Sequence, residues 1–403
     1  MLKVPRKSLI LLVSSELACL ENADFSAYRA PGLAETASLA FEIMPWRWKA
    51  KEFDNAANEL ASPFKSPPEL VSLPGRTGVL DLTGYYPSGN ATVIEGATHM
   101  KLQRPVSWPN GAKVACAISL DMDADSLVHI HHGDRAGDKL SAMSMLRYGP
   151  QVAIPRILET YRKFGLKQSF FIPAWCMENH AAAVDAIVRD GHEVGYHGYI
   201  HEAPNSLSPQ QEMDWMCKSI EIIERHTGKR PRGNRSPLYH MSAKTPELLA
   251  ELGFLYDSSL MGDDVPYYLD TPSGRLLELP VSWATDDWPP YVHAPDLGYM
   301  FPPKPPDAAM DIFLAEFEAL RQSPGGVWIG VWHPFVSGRL SRWQRVERMI
   351  EFMLNTGDVW FASLEEITSH VNEETTSGRY RPRVDPLPYT TGNQVPEELV
   401  GKA

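Results

Sequence analysis

From Lys113 to Ser363, short unbroken apolar runs alternate with longer stretches in which apolar residues recur every three or four positions. "KVACAISL" reads as a strand covered on both faces. Ile154, Ile157, Leu158 and Tyr161 then follow at helical spacing, and "QSFFI" reads as a second strand. The unit repeats. "AAAVDAIVRDG" is a helix stopped by glycine before "HEVGYH". "SPQQEMDWMCKSIEIIERHTG" carries Ser208 as its cap, Pro209 in the first turn and Gln211 to complete a capping box, with Met213, Met216, Cys217, Ile220 and Ile223 as its inward stripe. The helices "TPELLAELG", "PDAAMDIFLAEFEAL" and "SRWQRVERMIEFMLNTG" lead into the apolar runs "FLYDSS", "GVWIGVW" and "VWFAS", and "LLELPVSW" adds a strand between the first two. Seven or eight strands alternating with helices predict an α/β fold with a parallel sheet, closed or nearly closed into a barrel. Such a barrel carries its chemistry where strands run out into loops, at the C-terminal mouth.

Outside this region the pattern lapses. Residues 1–99 have turn formers every few positions and no sustained period, as in "FKSPPELVSLPGRTGVLDLTGYYPSGNAT", and are expected to form an irregular extension before a catalytic barrel over 100–374. Residues 375–403 are Pro-rich and polar and are expected to be a tail.

Charge narrows the partners. With 38 basic against 50 acidic side chains the formal charge is −12, a field that repels a polyanion and argues against DNA or RNA. The segment "KVPRKSLILLVSS" has the basic start of a secretory signal, but its apolar core, Leu9 to Val13, is short and Glu16 follows closely. No stretch approaches the roughly 18 unbroken apolar residues of a membrane span. Cys19, Cys116, Cys176 and Cys217 form no CxxC pair and read as buried thiols, compatible with a reducing compartment. A cytoplasmic location is expected, with a small molecule or amino sugar as substrate and homo-oligomerisation left open.

Four strand ends carry candidate chemistry. "KVACAISL" runs directly into "DMDADS"; alternate strand residues share a face, so Asp121 and Asp123 project together while Met122 turns away. Close carboxylates raise each other's proton affinity, and a metal resolves the conflict by binding one and leaving the other free as a base. An acidic turn capping a helix is the plainer alternative. In "HGYIH", His197 and His201 end another strand, and imidazoles four apart meet on one face if the backbone turns helically there. A bonded loop histidine beside an exposed one would look the same. With Asp123 they offer two nitrogens and one oxygen, the ligand number of a catalytic zinc site that keeps one position open. His129, His131 and His132, in "VHIHHGD", are expected in a polar loop and are set aside as ligands. His333 closes "GVWIGVWH", where an imidazole can protonate a departing amine. Arg235, in "GNRSPLY", can pair with Asp121 and hold it ionised. Asp257, Asp286 and Asp287 are candidate pocket or supporting groups, and Trp283, Trp288, Tyr267, Tyr268 and Tyr291 candidate stacking surfaces, all of them also explicable as turn formers or loop packing.

Taken in order, "GHEVGYHGYIHE", "YDSSLMGDDVPYY", "LELPVSWATDDWPP" and "HPFVSGR" resemble the polysaccharide deacetylases of carbohydrate esterase family 4, the NodB-homology hydrolases. The likeness runs from about Met100 to Glu373 and is nearest to the peptidoglycan deacetylase-like subgroup that includes cyclic imide hydrolases and is related to allantoinases. It implies a distorted, incomplete (β/α)7-type barrel with parallel strands. It further implies a divalent metal, Zn2+ with Co2+ or Ni2+ as alternatives, held by Asp123, His197 and His201. Asp121 would be the base that activates water, Arg235 and Pro237 the arginine–proline motif beside it, and His333 the acid that protonates the leaving nitrogen. The aspartates are spaced as D-x-D where the sugar deacetylases have an adjacent pair, which leaves the substrate open between an acetylated amino sugar and a cyclic imide or ureide. A carbohydrate-binding relic is the competing class, and the retention of base, ligands, arginine and acid together speaks against it.

Overall fold

The run expected to be covered on both faces is the spine of the sheet. The computed structural model describes residues 100–389 and 396–401, so the extension expected over 1–99 lies outside the described residues. Among these, ten strands form one sheet: β1 (Val114–Asp121), β2 (Ser169–Ile172), β3 (Glu193–Tyr196), β4 (Gly233–Asn234), β5 (Tyr256–Asp257), β6 (Tyr267–Thr271), β7 (Gly274–Glu278), β8 (Gly326–Trp332), β9 (Val359–Phe361) and β10 (Val384–Pro386). Their order in space is β10-β6-β7-β5-β4-β3-β2-β1-β8, with β9 beside the start of β1.

β1 is buried throughout and pairs with β8 from Val114 to Leu120. Alternate residues go to different cores. Val114, Cys116, Ile118 and Leu120 face the helices outside, while Ala115 and Ala117 face an inner core shared with Phe171, Tyr256, Leu277, Val327, Ile329 and Val331. Small residues on the inner face leave room for rings. At Gly233 a Cβ would stand 1.9 Å from the Tyr256 ring, so only glycine fits. Val106, Trp108 and the helix Leu364–Thr376, through Leu364, Ile367 and Val371, join this inner core from the end where β1 begins. The opposite, C-terminal end is the one left for chemistry.

The α/β architecture and the incomplete barrel agree with expectation. All strand pairs are parallel except β6–β7, and the sheet does not close; beyond β7 the chain meets β8 through a single bridge, Asp286 to Val331. The antiparallel hairpin departs from the all-parallel expectation. Only two residues separate β6 from β7, far too few for a crossover. The C-terminal segment departs as well: β10 pairs with β6, Tyr380 is buried with its hydroxyl donating to the Pro266 carbonyl at 2.6 Å, and Arg383 pairs with Asp263 at 2.8 Å. What was expected as a tail from 375 is therefore held against the barrel as far as Pro386, with Val384–Pro386 as an edge strand, a position that tolerates proline.

The helix Pro209–Thr227 has its capping box, Ser208 accepting from the Gln211 amide and Gln211 from that of Ser208. Its buried stripe is centred on Met216, Ile220 and Ile223. Met213 is only half-buried, and Cys217, rotated about 100° from Met216, is exposed rather than inward. Cys116 and Cys176 are buried free thiols. Among the described residues no helix is long and apolar enough to cross a membrane.

Candidate metal centre and active site

At its C-terminal end β1 turns from apolar to acidic. Along its inner face Ser119 follows Ala117, its hydroxyl donating to the Gly330 carbonyl at 3.0 Å, and Asp121 ends the strand. Ala124 then takes a left-handed φ of 48°, and the chain starts the helix Ser126–His132. The Asp123 carbonyl accepts from Ser126 Oγ at 2.7 Å and from Cys176 Sγ at 3.0 Å, so the peptide carrying this aspartate is held from two sides. Asp125 turns away and bonds His180 Nε2 at 2.5 Å.

The Asp123 carboxylate is the centre of the cluster. Its Oδ1 lies 3.2 Å from His197 Nε2, and its Oδ2 lies 3.7 Å from His201 Nε2 and 3.5 Å from His333 Nε2. Both carboxylate oxygens and His197 Nε2 are buried without a hydrogen-bond partner. Buried polar atoms are rarely left so, and a group able to bond all three would remove the cost. Ligand atoms of Asp123, His197 and His201 lie within 4.8 Å of one another, close enough to share one cation. The His197 Nδ1–H donates to the Arg235 carbonyl at 2.5 Å, which turns Nε2 toward Asp123.

Charge at the centre points the same way. Burial opposes ionisation of Asp123, yet His201, His197 and His333 hold its pKa down at about 2. Burial pushes His201 down to about 4, so this imidazole is neutral and has a lone pair to give. His197 is opposed by burial too, but Asp121 and Asp123 raise it above its ordinary value. An ionised Asp123 beside the neutral His201 and the His197 ring offers one oxygen and two nitrogens, a donor set that fits a divalent cation.

The two histidines converge by a route other than the expected helical turn. After β3 the chain bends, with Gly198 at φ 74° and His201 at φ 72°, and the rings meet at 4.9 Å between centroids and 75° between planes. Beside them, the Arg235 guanidinium is buried, stacked on Phe171 with its carbon 4.6 Å from the ring centroid. Its Nη1 donates to both Asp121 oxygens at 3.3 and 3.4 Å, and its Nη2 to Ser119 Oγ and Ser258 Oγ. Asp121 Oδ2 stands 3.9 Å from His197 Nε2, facing the same centre from its arginine side.

His333 follows β8. Its Nδ1 is 2.7 Å from Asp287 Oδ1, and Asp287 Oδ2 accepts from the His333 and Ser337 amides. Burial works against charge on this ring, but the Asp287 carboxylate outweighs it and lifts the pKa to about 10. Asp287 is therefore the partner that fixes the tautomer and charge of His333, a role no sequence spacing revealed.

A cavity of about 480 Å³ opens onto these groups. Asp121, Asp123, His197, His201 and His333 lie at one end; the walls are mainly Leu127, Ile130, Leu238, Leu297 and the rings of Tyr239, Trp283, Trp288 and Tyr299. Of the proposed pocket groups, Trp283, Asp286 and Trp288 line it. Pro237 is buried against the His197–His201 bend, 3.2 Å from where a Cβ on Gly198 would sit. Asp257 does not line it: it is buried beneath, bonded to Asn234 at 2.5 Å and to Ser259. Tyr267 and Tyr268 are in β6 and Tyr291 bonds the Pro306 carbonyl, so none of these three lines the cavity. His129, His131 and His132 sit on the helix Ser126–His132 instead of a loop. His131 reaches the cavity wall, with its Nδ1 bonded to the Leu127 carbonyl. Tyr239 and Tyr299 went unpredicted because each belongs to a loop with no period of its own.

Comparison with known proteins places the chain among deacetylase relatives. The sequence pattern of the family described as polysaccharide deacetylase matches residues 136–256. A peptidoglycan deacetylase of Helicobacter pylori is 31% identical over 245 residues, covering 55% of this chain and 84% of that protein. A crystal structure of a candidate polysaccharide deacetylase from Mycobacterium smegmatis is 37% identical with a TM-score of 0.67, covering 72% of this chain and all (100%) of that one. An allantoinase structure is 25% identical with a TM-score of 0.59, covering 68% of this chain and 94% of its own.

Proposed function

The chain belongs to the polysaccharide deacetylase family and is a hydrolase of carbon–nitrogen bonds other than peptide bonds, and we propose that it cleaves a compact amide with the help of a divalent metal held by Asp123, His197 and His201. The observation that carries this reading is convergence. Side chains from the ends of β1, β3 and β8 and from the loop after β4 meet at one centre, where two carboxylate oxygens and an imidazole nitrogen have no protein partner.

When bound, a divalent metal supplies Lewis-acid polarisation of a carbonyl and lowers the pKa of water. Zinc suits the nitrogen and oxygen donors, with cobalt or nickel as substitutes. Asp121 takes the proton of the attacking water, and Arg235 keeps that carboxylate oriented and ionised until it does so. His333, kept charged by Asp287, gives its Nε2 proton to the departing nitrogen as the C–N bond breaks. The apolar walls line the approach to the reacting groups.

Two substrate classes fit this chemistry. One is an N-acetylated amino sugar, in keeping with the peptidoglycan deacetylase relative. The other is a small cyclic imide or ureide. It is favoured by walls made largely of leucine, isoleucine and aromatic rings, which suit a flat ring better than a polyhydroxylated one, and by the likeness to an allantoinase. A panel of N-acetylglucosamine oligomers, peptidoglycan fragments, a cyclic imide and allantoin, each assayed with zinc, cobalt or nickel, tests both. Acetate release or ring opening that stops on chelation and returns with metal is the expected result. Turnover that survives complete metal removal, or no turnover on any member, contradicts the reading.

A further inference from the structure

The motif that supplies two of the ligands ends in Glu202, which has no part in the mechanism above. We propose that Glu202 is a positioning residue: its carboxylate fixes the 197–201 bend and so sets how tightly the centre binds a divalent cation. The inference rests on the metal reading above.

Glu202 folds back on the bend it follows. Oε1 accepts from the Tyr199 amide at 2.8 Å, and Oε2 accepts from the amides of Tyr199 at 3.1 Å and Ile200 at 2.8 Å. The carbonyls of the same turn are tied on the other side, Gly198 O by the Ala174 amide at 3.1 Å and Tyr199 O by the Trp175 amide at 2.7 Å. The Tyr199 ring stacks on Trp215 at 4.6 Å, with Lys218 Nζ 4.1 Å above it. The two central peptides of the bend, 198–199 and 199–200, thus have external anchors on both sides, and Glu202 is the anchor for their N–H groups.

That anchoring has something to oppose. His201 occupies the left-handed region, which a side chain with a Cβ adopts reluctantly, and it does so directly before Glu202. Gly198 is left-handed too, and a Cβ there would lie 3.2 Å from both Glu202 oxygens, so the position is kept clear for the carboxylate. Without these bonds the bend is free to relax. His201 Nε2 would then leave its place 3.7 Å from Asp123 Oδ2, and the cation site would have to be reassembled at each binding event.

The test is metal affinity of the full chain, measured with zinc and with cobalt by competition against a chromophoric chelator; the cobalt absorption spectrum serves as a readout of ligand geometry. Glu202→Ala is expected to weaken both metals by roughly 10- to 100-fold and to alter the cobalt spectrum. Glu202→Gln keeps an oxygen that accepts from two adjacent amides and is expected to stay close to wild type. Glu202→Asp keeps the charge but falls a methylene short, and is expected to behave like the alanine variant. If Glu202→Ala does not fold, the Asp and Gln variants decide. Wild-type affinity in Glu202→Asp overturns the proposal, because the bond geometry would then be immaterial, as does alanine-like weakness in Glu202→Gln. A wild-type chain that binds neither metal removes the metal reading and this inference together, whereas a metal-binding wild type with unaffected variants removes this inference alone.

Discussion

Asp121 and Asp123 are two positions apart and do different things because their partners differ. Asp121 has a guanidinium, and Asp123 has imidazoles and two unpartnered oxygens. Replacing Asp121 with Asn is therefore expected to lower turnover by about 10²- to 10⁴-fold while bound metal stays in place, which activity assays and elemental analysis of the same sample will show. Loss of metal in that variant would make Asp121 a ligand and reverse the assignment. The side chains that meet here were legible because each ends a strand or belongs to a motif, and strand ends of such a barrel share one mouth. Their supporting contacts were not. Asp287 reaches His333 across 46 positions of sequence, and the histidine pair converges through a bend with two left-handed residues, a conformation that the spacing of HxxxH does not encode. The cavity walls were legible only in part, since Trp283 and Trp288 were among many loop aromatics and Tyr239 and Tyr299 carried no signal at all.

Elements bounded by local chemistry were readable in the sequence. The Ser208–Gln211 box starts the helix Pro209–Thr227, and the apolar runs became β1, β2 and β8. Elements made by pairing at a distance were hidden. β6 is a five-residue strand, Tyr267–Thr271, flanked by β7 and β10, while β10 is a three-residue strand ending in proline that only the neighbouring edge defines. One half-buried acid joins several elements. Glu193 at the start of β3 accepts from Ser169 Oγ of β2, from Tyr256 Oη of β5 at 2.6 Å and from the Glu365 amide of the helix Leu364–Thr376 at 3.0 Å. Burial outweighs those donors and pushes its pKa from 4.5 up to about 7. The folded state thus binds this proton more tightly than the unfolded chain. The associated stability is full below about pH 4.5 and is lost as pH rises through about 7. Glu193→Gln is expected to remove on the order of 2 kcal/mol of pH dependence between pH 5 and pH 8, read from urea midpoints at the two pH values. An unchanged slope would mean that Glu193 is ionised in the fold.

The described residues form a barrel closed off at one end by Trp108 and the helix Leu364–Thr376, open at the other, and not sealed between β8 and the far strands. β10 protects the edge of β6, and Tyr380 fills the inner core beside it. A chain ending at Gly378 is expected to melt several degrees lower and to aggregate through the exposed edge; an unchanged melting temperature would restore the reading of this segment as a tail. The open end gathers residues 121, 123, 197, 201 and 333, with 235 behind Asp121, around one point, and the proposed function depends on that point. The most direct test is the metal content of the purified full chain after zinc loading and desalting, beside that of His197→Ala. The account predicts about one zinc per chain in the wild type and little in the variant; a wild type without stoichiometric metal, or a variant that keeps it, would contradict it.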